Sequence, residues 1–479
     1  MSFYHGRRSL PQRFRLVLSS ALQTDGLPFC DILTEDEIQH AFDEQDVSFA
    51  EEEDEIYTPP LTLWAFLSQV LHKGEQRSCL AAVSRVIVLL VALGRNACAK
   101  NSGPYCRARA RLPEKVIEHL TLEVAQGSEK AIPRGWLWHG RHVKLADGTT
   151  VSMPDTEENQ AAYPQHSAQK AGLGFPIARL VVLLSLGTAM VSGMAIGPYS
   201  GKETGETALL RQLLGQLEAR DILLTDRYFC SYFMIALLLD RGVDFVSRIH
   251  QLRKADLRHA QRLGKHDHLV VWTRPSKPEW MDQATFEQMP KSLTLRRTVV
   301  KVSEPGFRVE SLTIVTTLTD ARKYTKEDIA ELYHQRWLAE LDIAAIKVTL
   351  GMDVLRCKTP EMVHKELWTC LLAYNLLRKV MLQAAQRNKL SPRQLSFATA
   401  LQTFAASWVT LPTQDHSTQL LLIEVQIDSL ASQLIGKRPN RFEPRAVKRR
   451  PKPHRLLTMP REEARDFLRC GIDPYGKEN

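Results

Sequence analysis

Between Trp138 and Ile249 short apolar runs alternate with stretches of helical spacing, and this alternation constrains the fold more than any other feature of the chain. His142 to Ala146 reads as a strand that ends at Asp147-Gly148-Thr149, and Thr150 to Met153 follows. Ala178 to Leu186 and Ala189 to Ile196 are two further strands, with Gly187-Thr188 as the turn between them. Thr207 to Leu217 has helical spacing. Asp221 to Thr225 is a short buried-type strand ending at Asp226, Ser231 to Leu239 suits a helix, and Gly242 to Ile249 is another strand. Strands and helices that alternate in this way point to a mixed α/β sheet.

The flanking regions read differently. Thr34 with Glu37 makes a capping box ahead of Ile38, Ala41 and Phe42, and Leu63, Phe66, Leu67, Val70 and Leu71 repeat at helical spacing after the Pro59-Pro60 break. The apolar run Leu80 to Leu93 contains Arg85 and is too short to span a bilayer, so it is expected to be a buried helix. Arg107, Arg109, Arg111 and Lys115 give the helical region a basic face, which suits either DNA or plain solvent. Residues 251–318 carry strand-like pieces at His268 to Thr273, Ser292 to Val302 and Val309 to Thr317, a mostly β insertion. A helix is expected from Thr325, capped through Asp328, to Lys347, and a second from Pro360 to Gln386. The expected division is 1–125 helical and DNA-end binding, 126–250 and 319–390 two parts of one α/β core, 251–318 the insertion, and 391–479 a C-terminal region with a basic tail.

Composition narrows the function. The 479 residues hold 63 Lys and Arg against 54 Asp and Glu, a net charge of +9 that favours a polyanionic partner. Acidic residues crowd Glu35 to Glu55, whereas the tail from Arg438 to Arg461 is dense in Arg and Lys. The eight cysteines form no Cys-x-x-Cys pair, which argues against a zinc site or a disulfide framework and for a reducing cytoplasm. The start lacks the apolar core of a secretory signal, and no membrane role is expected.

Three acids carry the chemistry. Asp147 and Asp226 each end a strand in this reading, and two carboxylates at neighbouring strand ends can share a hard divalent cation. Tyr333, Arg336, Glu340 and Lys347 fall at steps of three, four and seven, so one uninterrupted helix would line them on a single stripe. Arg and Lys grip phosphates, and Tyr can bond or stack. The plainer alternative is a solvated stripe with Arg336 and Glu340 as an i,i+4 ion pair.

Tyr-xx-Arg-xxx-Glu-xxxxxx-Lys resembles the signature of the insertion-sequence-four family of bacterial DDE transposases, met here by Tyr333, Arg336, Glu340 and Lys347. Ala146 to Thr149, Thr225 to Phe229, Gly172 to Pro176, Gly205-Glu206-Thr207 and the tail Arg438 to Arg441 with Arg445 and Lys448 to Pro451 look like the same family. Tyr228 departs from it, standing where the family more often has Gly. The likeness runs from Pro60 to about Pro451. It implies an RNase H-like core interrupted by a β insertion, for which the 114 residues from Asp226 to Glu340 leave room. It also implies Asp147, Asp226 and Glu340 as catalytic ligands of Mg²⁺, with Mn²⁺ as a substitute and two ions per site. DNA contacts would come from Tyr333, Arg336 and Lys347, and an insertion tryptophan, Trp272 or Trp280, would stack on a flipped base. The partners implied are the element's own terminal inverted repeats and target DNA, gripped by a homodimer.

Rival readings are a nuclease or resolvase that cuts without joining and an inactive DNA-binding relative. A nucleotide cofactor is not expected, because Gly197 to Lys202 is one residue short of a P-loop and Glu203 replaces its Ser or Thr. Asp147-Gly148-Thr149 lacks the partner Asp of a phosphatase motif, since Leu145 stands there.

Overall fold

The computed structural model describes residue 42 and residues 56–249, 257–301, 311–435 and 457–475. The capping box at Thr34 and Glu37 and the basic run Arg438 to Arg450 lie outside the described residues.

The described strands form one nine-stranded sheet in the order β3-β2-β1-β4-β5-β9-β8-β7-β6. β1 (Val143–Ser152), β2 (Ile177–Ser185) and β3 (Val191–Pro198) make an antiparallel meander. β4 (Ile222–Thr225) and β5 (Asp244–Arg248) then add parallel to β1. Their apolar stretches, such as Ile222-Leu223-Leu224, are buried on both sides, as parallel strands between helical layers must be. The 251–318 region supplies β6 (Gln261–Gly264), β7 (Asp267–Thr273), β8 (Ser292–Lys301), β9 (Ser311–Thr316) and the short helix Gln283–Gln288. Its strands do not stand apart from the core: β9 pairs antiparallel with β5, Val246 opposite Thr316, so the insertion widens the same sheet.

Successive residues of a strand point to opposite sides. Leu145 and Leu224 enter one core, under the helices that follow residue 326, while Ala146 and Leu223 enter the other, under the helices Glu206–Gln212 and Tyr232–Asp240. The first core is organised around the Pro360–Arg387 helix, which is buried on nearly every side, its polar residues such as Asn375 and Arg378 included. Asn375 fixes its depth: its side chain accepts from Val191 N and donates to Thr121 O and Val191 O, tying this helix to β3 and to the Glu114–Ala131 helix.

Two expectations are corrected here. The Cys79–Ala92 helix buries Val83, Val86, Leu89 and Leu90 but leaves Leu80, Val88 and Val91 exposed, so it is amphipathic and not fully buried. Arg109 does not belong to a basic outer face. It donates to Gln69 Oε1 at 3.0 Å and lies over the Phe66 ring, whereas Arg107, Arg111 and Lys115 stay exposed.

Candidate active site

Asp147 lies in the middle of β1 and does not end it. Gly148 does not turn the chain, because β1 keeps pairing with β2 from Lys144 opposite Ser185 to Ser152 opposite Ile177. What stops beside Asp147 is the other neighbour. The parallel pairing of β4 ends with Thr225 opposite Ala146, so continuing the register sets Asp226 beside Asp147. Neighbouring strands lie roughly 4.8 Å apart, and both acids fall on the Leu145 and Leu224 side. Asp226 caps a short 3-10 turn by accepting from Tyr228 N at 2.7 Å, and Ser247 Oγ donates to its carbonyl oxygen.

Glu340 arrives on the helical segment that covers this side. Thr325 and Asp328 form the expected capping box for its first helix, Lys326–His334. The segment is not one straight α-helix, however. It tightens to a 3-10 turn at Gln335–Trp337, resumes as Leu338–Ala344, and widens to a π turn at Ala345–Thr349. The widening has a local reason: Leu350 N donates to Ala345 O, and Lys73 Nζ donates to Val348 O. These bonds bring the chain to Gly351, at φ +84, and on to Leu355, whose amide donates to Ser152 O at the end of β1. The four signature residues therefore do not share one ideal stripe. Tyr333 turns inward and is buried, which pushes its hydroxyl up to about 12. Arg336 and Glu340 face the sheet edge, and Lys347 sits half-buried in the π turn.

Arg336 joins the acids. One guanidinium nitrogen lies 2.6 Å from Glu340 Oε1 and another 3.9 Å from Asp147 Oδ2. Burial pushes the Asp147 carboxyl up to about 6, and Asp226 and Glu340 add to the rise; Gly148 N–H, 2.8 Å from Asp147 Oδ1, and Arg336 pull the other way. Among the described residues no three His, Cys, Asp or Glu side chains converge into a ready metal cage. Arg336 reaches toward both Glu340 and Asp147. The donor set nonetheless fits a hard divalent cation, because the candidate ligands are carboxylate oxygens.

Trp280 is taken up by packing, with Arg211 3.9 Å above its ring and Phe233 edge-on. Trp272 is half-buried on β7 against the second core. Sequence reasoning passed over two exposed aromatics beside the acids: Tyr228, 65% exposed and two residues after Asp226, and Trp337 next to Arg336. The signal for Tyr228 was its departure from the family pattern.

Residues 138–376, which hold all three acids, match the transposase DDE domain family. The chain is 30% identical over 355 residues to the transposase InsG of insertion sequence element IS4 from Escherichia coli (strain K12), covering 72% of this chain and 76% of that protein. The chain belongs to the IS4 family of DDE transposases. A putative transposase of the same organism, InsZ, is 28% identical over 139 residues, 28% of this chain and 45% of that one. The chain is also similar, at 10% identity and a TM-score of 0.41, to the piggyBac transposase in a synaptic complex with hairpin DNA, over 90% of this chain and 86% of that one. Members of the DDE family use divalent metal ions in cleaving and joining DNA. Among the described residues no helix is long and apolar enough to cross a membrane.

Proposed function

We propose that this IS4-family transposase cleaves the ends of its own insertion sequence and joins them to target DNA at a centre built from Asp147, Asp226 and Glu340. The observation that carries the reading is the parallel register of β1 and β4, which sets Asp147 beside Asp226 while Arg336 links Glu340 to the same edge. The β3-β2-β1-β4-β5 order, three antiparallel strands followed by two parallel ones, supports assigning this half of the sheet as an RNase H-like core.

Asp147, Asp226 and Glu340 would hold the cations, Mg²⁺ or Mn²⁺. Two such ions would activate the attacking oxygen and stabilise the leaving oxygen of an in-line displacement at phosphorus. For Glu340 to join the other two acids, Arg336 must let go, and a DNA phosphate is the natural competitor for its guanidinium. Arg336 thus grips the transferred strand and, in the same movement, frees the third acid. Lys347 adds a second phosphate contact from the π turn, and Tyr333 braces the wall behind Asp226. As the family resemblance implies, the freed 3′ hydroxyl attacks the opposite strand to give a hairpin, which is reopened before joining. Trp280 is packed beneath Arg211, so of the two insertion tryptophans that the resemblance offers, Trp272 is assigned to the displaced base. Residues 1–125 would bind the terminal inverted repeats, with a homodimer pairing two ends in the cytoplasm.

The test is cleavage of end DNA by the purified protein in Mg²⁺. Asp147→Ala, Asp226→Ala and Glu340→Ala should each reduce it to background while metal-free end binding persists. Cleavage at the wild-type rate by all three would remove the assignment.

A further inference from the structure

The outer strands that the 251–318 region adds to the sheet carry a charge the catalytic centre does not use. Residues 257–301 hold nine Lys and Arg against four Asp and Glu, a net +5 out of the chain's +9. The four acids do not balance it locally. Asp267 is bound on both oxygens by the buried Arg296, and Glu279, Asp282 and Glu287 lie in the link between β7 and β8. β6, β7 and β8 hold no other acid.

Three of the basic residues stand in one row. Register sets Arg262 of β6 opposite His268 of β7, and His268 opposite Arg297 of β8. Their side chains therefore share one side of the strands, that of Val270 and Leu295. Basic side chains set directly opposite one another are an unfavourable choice for a sheet by itself. Arg262 is exposed, whereas His268 and Arg297 are half-buried. Among the described residues no acid pairs with any of the three. His268 Nδ1 and Arg297 Nε are shut from water without a hydrogen-bond partner, and Arg262 Nε reaches only the Gly264 carbonyl, at 3.3 Å. Burial alone acts on the Arg297 guanidinium, lowering its pKa, and no carboxylate offsets it. A line of donors that lacks acceptors is completed by a polyanion.

One rung of the sheet joins this row to the catalytic strand. Arg297 faces Val315, Val315 faces Ser247, and Ser247 faces Thr225, the residue before Asp226. At roughly 4.8 Å per strand, the row begins about 14 Å from the end of β4. It lies on the side of the second core and the acids on the side of the first, so it is no part of the centre itself.

We propose that Arg262, His268 and Arg297 form a separate, sequence-independent contact with the DNA backbone, on which the duplex rests beyond the catalytic edge. The two guanidinium groups grip phosphates and the imidazole donates between them. Contacts of this kind position DNA without reading its bases. The assignment rests on the DNA-cleaving reading given above.

The test is binding of the full-length protein, in chelator, to two duplexes of equal length, one carrying the element's end and one unrelated, over about 50 to 200 mM salt. Arg262→Gln combined with Arg297→Gln removes two phosphate contacts. The slope of log K against log salt should flatten by about 1.8 on both duplexes, and affinity should fall roughly tenfold on each. Arg262→Lys combined with Arg297→Lys should restore the slope, because a backbone contact needs the charge. Lys389→Gln, the loss of an exposed cation after the Pro360–Arg387 helix, should leave it unchanged. A wild-type slope in the double Gln variant would overturn the proposal. So would an affinity loss confined to the element's end, or a lowered thermal midpoint with an unchanged slope. Each of these removes the row alone as long as Asp226→Ala still abolishes end cleavage. If Asp226→Ala cleaves as wild type does, the centre falls, and the salt slopes still decide the row.

Discussion

Glu340 and Asp342 lie two residues apart on the Leu338–Ala344 helix, yet their surroundings are opposite. Asp342 is 1% exposed and held on both oxygens, by Arg378 at 2.9 Å and Arg393 at 2.8 Å, with Arg378 also donating to Tyr374 Oη. Glu340 is about half exposed and meets one cation, Arg336, which leans toward Asp147 as well. The acid surrounded by committed arginines anchors the helix to the Pro360–Arg387 helix. The acid with a single shared partner is the one free to take another. Incomplete charge compensation, more than burial, separates the working carboxylates from the structural ones. Asp147 falls with Glu340 on this criterion, and Asp267, bidentate to the buried Arg296, falls with Asp342.

The comparison can be broken at its structural end first. Asp342→Ala leaves the buried Arg378 and the partly buried Arg393 without their acid and should cost about 3–5 kcal/mol of unfolding free energy in urea. A loss below 1 kcal/mol would mean that the two arginines are not the anchor. Asp147→Asn should do the reverse. Its carboxyl, 20% exposed, is raised to about 6 in the folded protein, so the fold holds that proton more tightly than the unfolded chain does. The favourable contribution is complete below about pH 4 and is lost as pH rises past about 6. In chelator, the stability of Asp147→Asn relative to wild type should therefore climb between these limits, by on the order of 2–3 kcal/mol, and level off above them. A pH-independent difference would refute the burial argument. The smallest effect concerns Arg336. Arg336→Gln should bind Mn²⁺ up to about fivefold more tightly without DNA, the scale of a partly exposed ion pair near 1 kcal/mol, even as end cleavage falls. Weaker binding would show that Arg336 supports the acids instead of holding Glu340 back.

Much of this organisation was legible locally. The strand runs at 178–186, 221–225, 268–273 and 292–302 match β2, β4, β7 and β8 within a few residues, because alternation and apolar runs are written residue by residue. The Thr325 and Asp328 box was equally readable. Partners were not. Gly148 looked like a turn because its real constraint is a side chain 58 residues later, which no local pattern encodes. Periodicity gave Tyr333 to Lys347 one stripe, but a 3-10 turn interrupts it and the π turn is met by Lys73 on the route to β1. Arg109 read as surface until Phe66 and Gln69 enclosed it. The widening of the core sheet by the insertion was hidden for the same reason, since the β5 to β9 pairing joins residues about seventy apart.

That ladder makes the outer strands a lever. Because β9 is knit to β5 and β5 to β4, a pull on β9 reaches the end of β4, next to Asp226, through two rows of amide bonds. DNA drawn against that outer edge would strain the catalytic edge of the molecule along with it.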